Sequence, residues 1–419
     1  MSEVRVRYAP SPTGIPHIGN IRTALYNFLF AKNVGGKFIL RIEDTDQKRL
    51  VPESIDKIKE SLMLLGLNWD EFYKQSSRRN LYQKALEDLK SKELVYQDEG
   101  AWRFKVGKAQ KLVWTDLVHG KVEFSSDVIE DFVIIKSDGF PTYHFASVVD
   151  DHDMQISHVF RGDEWIPSTP KHLLLYQAFS WQPPHFVHLP PILGHNKQKL
   201  SKREGAKSII EYIDEGYLPE ALVNFLALLG WAPKGDRELF NLDDLINEFD
   251  IKRLNKNSPI FNLEKLNWFN RKYINQSTAK DLLPKIKKLS TYLRTTEINK
   301  DQVLKIIDLV RDHMVTLSDF DKYAKIFFEK GSESPPSKEK LENAKKAIES
   351  INKWNTETIT KTLDELISKN NLAPADFKNT LRLAVFADNT PPIYESLAVL
   401  TKDEVLSRLN SALGTIKTP

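Results

Sequence analysis

The chain has 419 residues, 41% of them hydrophobic, enough for two to four domains of roughly 100–200 residues each. Its 60 basic and 57 acidic side chains leave a net charge of +3, which neither requires nor excludes a polyanionic partner. There is no cysteine, so disulfides, thiolate zinc sites and cysteine nucleophiles are excluded, and no apolar run reaches the roughly 18 residues of a membrane helix.

Val4-Arg5-Val6-Arg7-Tyr8 alternates and predicts a strand, with no apolar signal segment before it. The expectation is a soluble, cytoplasmic protein with no membrane partner. A loop with Pro10, Pro12, Gly14 and Pro16 follows, then a helix over 21–33 with Leu25, Phe28 and Leu29 on one face. Gly35-Gly36 stops that helix, and Phe38–Ile42 reads as a second strand, nearly continuous in apolar residues. Strand, helix, glycine stop and strand make a βαβ unit, hence a parallel sheet. Another amphipathic helix is expected over 54–65. The stretch 95–150 changes character. Val122–Phe124, Phe132–Lys136 and Tyr143–Val149 give short strand signals, with Ser137-Asp138-Gly139 as a turn, and predict a β-rich insertion. Helical patterning resumes at Thr169–Phe179.

From about residue 276 the pattern is almost wholly helical, for example over 301–313, 338–352, 357–369, 374–386 and 402–413. Residues 331–336, Gly-Ser-Glu-Ser-Pro-Pro, read as a linker. This tail carries 23 basic and 20 acidic residues, the whole of the chain's positive excess. The bias suits a polyanion, and an ordinary solvated helical surface explains it equally well.

Neither of the common glycine-rich phosphate loops is present. The first strand-to-helix loop is the remaining candidate for a nucleotide. His17 opens the helix, where free N–H groups and the helix dipole favour phosphate, and Gly19 lets a base or ribose approach the backbone. Taken alone, such a histidine more often simply caps a helix. A second element, Lys199-Leu200-Ser201-Lys202-Arg203, concentrates three cations in five residues, as phosphoryl chemistry wants, although an isolated match reads as a solvated basic turn.

The two elements together, Pro-His-Ile-Gly-Asn at 16–20 and Lys-Leu-Ser-Lys-Arg at 199–203, resemble the HIGH and KMSKS motifs of class I aminoacyl-tRNA synthetases. Arg-Tyr-Ala-Pro-Ser-Pro-Thr-Gly at 7–14, Arg-Ile-Glu-Asp-Thr-Asp at 41–46, Lys-Ser-Asp-Gly-Phe-Pro-Thr-Tyr-His at 136–144, Val-Val-Asp-Asp-His at 148–152 and Leu-Pro-Glu-Ala-Leu at 218–222 narrow the resemblance to the glutamyl-tRNA synthetases. It runs through the tail, where Pro391-Pro392-Ile393-Tyr394-Glu395 is similar to the family's anticodon-binding end.

The resemblance implies an α/β fold: a Rossmann-type parallel-sheet catalytic domain with a β-containing insertion, followed by an all-helical anticodon-binding region. The boundaries it suggests are 1–72 and 148–184 for the halves of the catalytic domain and 73–147 for a shortened acceptor-stem-binding insertion. The basic loop and stem-contact region would occupy 185–275, and two anticodon-binding subdomains 276–335 and 336–419. It implies that His17, Gly19, Lys199, Ser201 and Lys202 serve catalysis. Glutamate would meet Arg7, Ala9, Ser11, Glu43, Tyr143, Ser147 and Arg161. ATP would meet Pro10, Ser11, Thr13, His17, Asn20, Glu164, Ile192, Lys199, Leu200, Ser201 and Lys202. Guanidinium groups suit a site that must tell glutamate from its isosteric amide. Glu43 matches the family's carboxylate for the substrate ammonium, while Ser147 stands where relatives vary.

The implied reaction uses ATP with Mg²⁺, L-glutamate and tRNA(Glu), with charging of tRNA(Gln) as well as the alternative and a monomer as the expected state. An inactive RNA-binding paralogue is the rival of another class. Between Tyr96 and Trp102 only five residues remain, where many relatives carry a longer segment, sometimes with zinc-binding cysteines; no zinc and no resident metal site is expected. Asp150-Asp151-His152, read as consecutive strand positions, would point to opposite faces and so suits a structural or tRNA-end role rather than a metal. His185 and His188 are not expected to be ligands, and Trp231, Trp268 and Phe269 are expected in the core.

Overall fold

The computed structural model describes residues 3–108, 110–198, 200, 206–296, 299–329, 337–388 and 392–415. The chain divides into two compact units, one comprising Met1–Ile213 with Pro219–Phe269 and the other Asp214–Leu218 with Asn270–Pro419.

The first unit is organised by a seven-stranded sheet. Its strands are Arg5–Tyr8 (β1), Lys37–Ile42 (β2), Glu71–Lys74 (β3), Lys111–Asp116 (β6), Gly120–Ser125 (β7), His158–Gly162 (β9) and His185–Leu189 (β10), in the order β3-β2-β1-β9-β10-β6-β7. Every neighbouring pair is parallel except the β6–β7 hairpin at one edge. Val95–Asp98 (β4), Ala101–Phe104 (β5) and Phe132–Ile135 (β8) form a separate antiparallel sheet. The helices are Ile18–Asn33 (α1), Ser54–Leu64 (α2), Arg79–Ser91 (α3), Tyr143–Asp153 (α4), Thr169–Phe179 (α5), Ile209–Asp214 (α6), Pro219–Leu228 (α7), Leu242–Glu248 (α8) and Leu263–Gln276 (α9).

The predicted βαβ start is present, and β1 pairs in register with β2 from Arg5 opposite Lys37 to Tyr8 opposite Leu40. Val6, Phe38, Ile39 and Leu40 are fully buried, as central parallel strands require. The strand expected over 143–149 is instead helix α4. Seven consecutive residues, Phe145 to Asp151, are buried, so this helix has no polar face and no 3.6-residue pattern to betray it. Asp150, Asp151 and His152 are therefore successive helix positions, not strand positions. Trp231 and Phe269 are buried as expected, whereas Trp268 is only half-buried.

Between β4 and β5 the shortened segment closes as a two-residue hairpin turn, Asp98 pairing with Ala101. Glu99 and Gly100 both adopt positive φ, 46° and 78°, the combination that matches the right-handed twist of flanking strands.

The second unit is built from Ala279–Leu289 (α10), Thr291–Thr295 (α11), Lys300–Val310 (α12), Phe320–Phe328 (α13), Lys338–Glu349 (α14), Thr356–Lys369 (α15), Pro374–Phe386 (α16), Ile393–Val399 (α17) and Lys402–Thr415 (α18). Capping matches composition: Thr278 and Asp281 form a reciprocal box, and Ser290, Asn299, Ser337 and Asn355 cap the helices that follow them. Arg408 of α18 is buried and donates to the carbonyls of Ile326, Phe327 and Val385, at the ends of α13 and α16. One side chain thus supplies donors to two helix C-termini that would otherwise be orphaned.

Candidate active site

In an open parallel sheet, ligands bind beyond the carboxyl ends of the strands where the strand order reverses. Here β1 lies between β2 and β9, so the reversal lies at β1 and β9. The segments leaving these strands begin at Ala9 and Asp163, and Glu43 follows β2. Sequence-predicted residues therefore converge at the place that topology selects. Pro10 and Glu43 are in direct contact, the Glu43 N–H donating to the Pro10 carbonyl at 3.0 Å. Ala9 and Pro10 are half-buried, and Ser11 and Thr13 are exposed in the loop beyond.

A buried ionic network forms one wall. Arg7 donates through Nε and Nη2 to the two Asp151 oxygens at 3.0 and 3.4 Å, and through Nη1 to the Phe160 carbonyl at 3.4 Å. Arg41 donates to Asp151 at 2.7 Å, to Glu43 at 3.0 Å and to Ser147 Oγ at 3.4 Å. Arg78 donates to Asp150 at 2.7 Å, and Gln75 and Tyr82 complete that carboxylate's shell. Three guanidinium groups thus face three carboxylates, Glu43, Asp150 and Asp151. Burial alone would raise the Asp151 carboxyl, but the charges of Arg7 and Arg41 outweigh it and hold the group below its ordinary value. At Glu43 burial wins, and its carboxyl is pushed up against the pull of Arg41 and Arg7.

Arg161, at the end of β9 and 6% exposed, differs from these. Its Nε donates to His188 Nε2 at 3.0 Å, its Nη2 to Thr169 Oγ1 at 2.7 Å, and its Nη1 approaches the Tyr143 hydroxyl at 3.5 Å. Arginine always donates, so His188 Nε2 is the acceptor and its ring proton lies on Nδ1, which meets Asp116 at 2.6 Å. Of Arg7, Arg41, Arg78 and Arg161, only Arg161 lacks a contacting carboxylate among the described residues. Its positive charge is held in place by neutral groups. Tyr143, half-buried and packed at a tilt against Trp165 with ring centroids 4.4 Å apart, lies within the fields of Arg161, Glu43 and Arg7, so it joins the two sides of the site.

The second part of the site is the amino end of α1. His17 is exposed and is its N-cap, with Nδ1 accepting from the Gly19 N–H at 3.0 Å. The neutral ring then carries its proton on Nε2. The helix-cap reading and the phosphate reading of His17 are thus compatible, because capping fixes which nitrogen donates. Gly19 has a reason that the sequence did not disclose: a Cβ there would lie 2.9 Å from His17 Cε1 and 3.0 Å from Nδ1. Asn20 is exposed on the same turn, its N–H donating to the His17 carbonyl.

Lys199, Ser201 and Lys202 lie outside the described residues, but both flanks of their segment are described. On one side, Leu200 N–H donates to the carbonyl of buried Ile192 at 3.2 Å. On the other, Ser208 forms an isolated antiparallel bridge with His17, and Ile18 N–H donates to the Lys207 carbonyl at 3.2 Å. The chain that follows the basic motif, at Lys207 and Ser208, therefore lies against the histidine that opens α1. Glu164 is exposed and folds over Gly162, where an added Cβ would lie 2.0 Å from its carboxylate. The sequence reading missed Arg22, which is buried and donates to the carbonyls of Pro190 and Leu229, tying α1 to the chain just before Ile192. It also missed Arg41, Asp116 and Thr169, whose partners lie far away in sequence. Among the described residues no cluster of three metal-ligating side chains occurs, and no helix is long and apolar enough to cross a membrane.

The chain matches the family described as tRNA synthetases class I (E and Q), catalytic domain, over residues 3–102 and 97–268, and an anticodon binding domain over 278–413. The two catalytic matches overlap over 97–102, which spans the β4–β5 turn. Glutamate–tRNA ligase of Dehalococcoides mccartyi is 39% identical over 99% of this chain and 98% of its own length, and glutamate–tRNA ligase 2 of Fervidobacterium nodosum is 37% identical over 99% and 97%. The first alignment spans 477 positions against 419 residues here, so at least 58 positions have no counterpart in this chain. A crystal structure of a glutamate tRNA ligase from Elizabethkingia meningosepticum, in complex with its amino acid, superposes with a TM-score of 0.91 at 32% identity, covering 99% of this chain and all of that one. From its parallel-sheet catalytic unit to its helical tail, the chain belongs to the glutamate–tRNA ligase family of class I tRNA synthetases.

Proposed function

We infer that the protein attaches L-glutamate to tRNA at the expense of ATP, through glutamyl-adenylate. The observation that carries this reading is the backbone bridge between His17 and Ser208. It sets Lys207 and Ser208, which follow the basic motif in sequence, against the helix end that a nucleotide phosphate would occupy.

Arg161 takes one carboxylate of the substrate, with Tyr143 bordering the same pocket and Glu43 facing the ammonium. Arg7 acts from within its pair with Asp151. A glutamate carboxylate oxygen attacks the α-phosphate of ATP–Mg²⁺, the bond to pyrophosphate breaks, and pyrophosphate leaves. The 2′-hydroxyl of the terminal adenosine then attacks the acyl carbon and AMP leaves. His17, donating through Nε2, stabilises the charge that builds on the phosphate, Lys202 and Lys199 serve the same end, Gly19 leaves room for the His17 cap, and Ser201 belongs to the same basic motif. Pro10, Ser11, Thr13, Asn20, Glu164, Ile192 and Leu200 border the nucleotide. No side chain need act as a base, since positioning and charge stabilisation supply most of the barrier reduction.

The helical second unit reads the anticodon, as its family match supports. The protein works in the cytoplasm as a monomer and uses tRNA(Glu). Charging total tRNA with labelled glutamate and then identifying the labelled species tests this. Label on tRNA(Glu) alone supports the reading; label on tRNA(Gln) as well makes the enzyme non-discriminating; binding of tRNA with no label refutes the activity.

A further inference from the structure

We propose that Asp116 and His188 form a positioning dyad that holds the Arg161 guanidinium in its glutamate-binding orientation, which makes the edge hairpin β6–β7 part of the amino-acid site. The proposal rests on the reading of Arg161 as a glutamate ligand.

The geometry is directional. His188 is fully buried on β10. Its Nε2 accepts from Arg161 Nε at 3.0 Å and faces Thr169 Oγ1 at 3.3 Å. An imidazole can accept there only as the neutral Nδ1–H tautomer. Asp116 selects that tautomer by accepting from Nδ1 at 2.6 Å, and the same Oδ2 accepts the His188 backbone N–H at 3.2 Å.

Asp116 is itself fixed. Its Oδ1 accepts the N–H groups of Val118 and His119 at 3.0 and 2.9 Å, in the three-residue loop that joins β6 to β7. The carboxylate cannot rotate without breaking that loop. Four hydrogen bonds thus lock Asp116, Asp116 locks the ring, and the ring locks one edge of the guanidinium. Thr169 Oγ1, at 2.7 Å from Nη2, fixes a second edge. Because neutral groups do the holding, the arginine is oriented without being neutralised.

A stabilising role in the sheet alone would need no acceptor at Nε2, and this separates the two roles by experiment. The readout is KM for glutamate and for ATP in tRNA charging by the full chain, for wild type, His188→Leu, His188→Gln, Asp116→Asn and Arg161→Ala. Losing a hydrogen bond to a charged group predicts that His188→Leu and Asp116→Asn raise the glutamate KM roughly tenfold or more, with the ATP KM changed less than about twofold. His188→Gln, whose Oε1 can accept from Arg161, recovers most of the loss. If His188→Leu does not fold, Asp116→Asn and His188→Gln carry the test. A glutamate KM unchanged in His188→Leu or Asp116→Asn, while Arg161→Ala raises it, overturns the dyad. Equal rises in both KM values, or no recovery with Gln, also overturn it in favour of a purely structural role. An unchanged glutamate KM in Arg161→Ala instead removes the reading of Arg161 on which the dyad rests.

Discussion

Replacing Gly19 by alanine separates what α1 needs to fold from what its amino end does. The added methyl would lie 2.9 Å from His17 Cε1 and 3.0 Å from Nδ1, so the imidazole must leave its cap. Losing that cap costs about 0.5–2 kcal/mol, and exchanging a helical glycine for alanine returns about 1 kcal/mol. The two nearly cancel, and the net stability change is within about 1 kcal/mol. Activity has no such compensation, since removing one preorganised donor from a developing oxyanion costs roughly 10²–10³ in kcat. Stability is read by urea unfolding followed through tryptophan fluorescence, which reports mainly on the first unit because seven of the eight tryptophans lie there. Activity is read as kcat for tRNA charging. A variant that retains kcat within about threefold would refute the role given to the His17 cap. A stability loss above about 3 kcal/mol would assign any inactivity to misfolding instead.

Three further predictions address the framework. Asp151→Asn leaves Arg7 and Arg41 buried without their shared charge partner, and should lower the stability of the first unit by about 3–5 kcal/mol in the same urea assay; a loss under about 1 kcal/mol contradicts the network. Glu71 is held at about 2, below its ordinary 4.5, chiefly by its hydrogen bonds from Arg5. Its stabilisation is therefore complete above pH 4.5 and lost as pH falls toward 2, so the stability gap between wild type and Glu71→Gln should close over that window, and a pH-independent gap contradicts it. At the β4–β5 turn, Gly100→Ala should cost about 1 kcal/mol in urea unfolding because of its positive φ, whereas Glu99→Gly should be neutral or slightly stabilising; equal effects would argue against the turn.

Local chemistry made much of the fold legible. Alternation and apolar continuity located β1 and β2, the glycine pair located the end of α1, and helical patterning located Pro374–Phe386. Helix α4 was misread because a helix buried all round has no period, and its aromatic and β-branched residues imitate a strand. In the site, residues on strand ends and on the first loop could be read from motif and position. The network could not, because Arg7 and Asp151 are 144 residues apart and Arg161 and His188 are 27 apart on neighbouring strands. His188 was weighed only as a metal ligand, since no sequence pattern signals a histidine that accepts from an arginine. Likewise, the need for glycine at position 19 arises from the ring two residues earlier, a contact visible only once the cap forms.

The most direct test of the account is single-turnover transfer of labelled glutamate to tRNA by the wild-type chain, His17→Ala and Lys202→Ala, each with and without ATP. If His17 and Lys202 stabilise the phosphate, label is ATP-dependent with wild type and falls roughly a hundredfold or more in each variant, with tRNA binding retained. Unimpaired transfer in both variants, or no transfer by wild type to tRNA from a matched source, would contradict it.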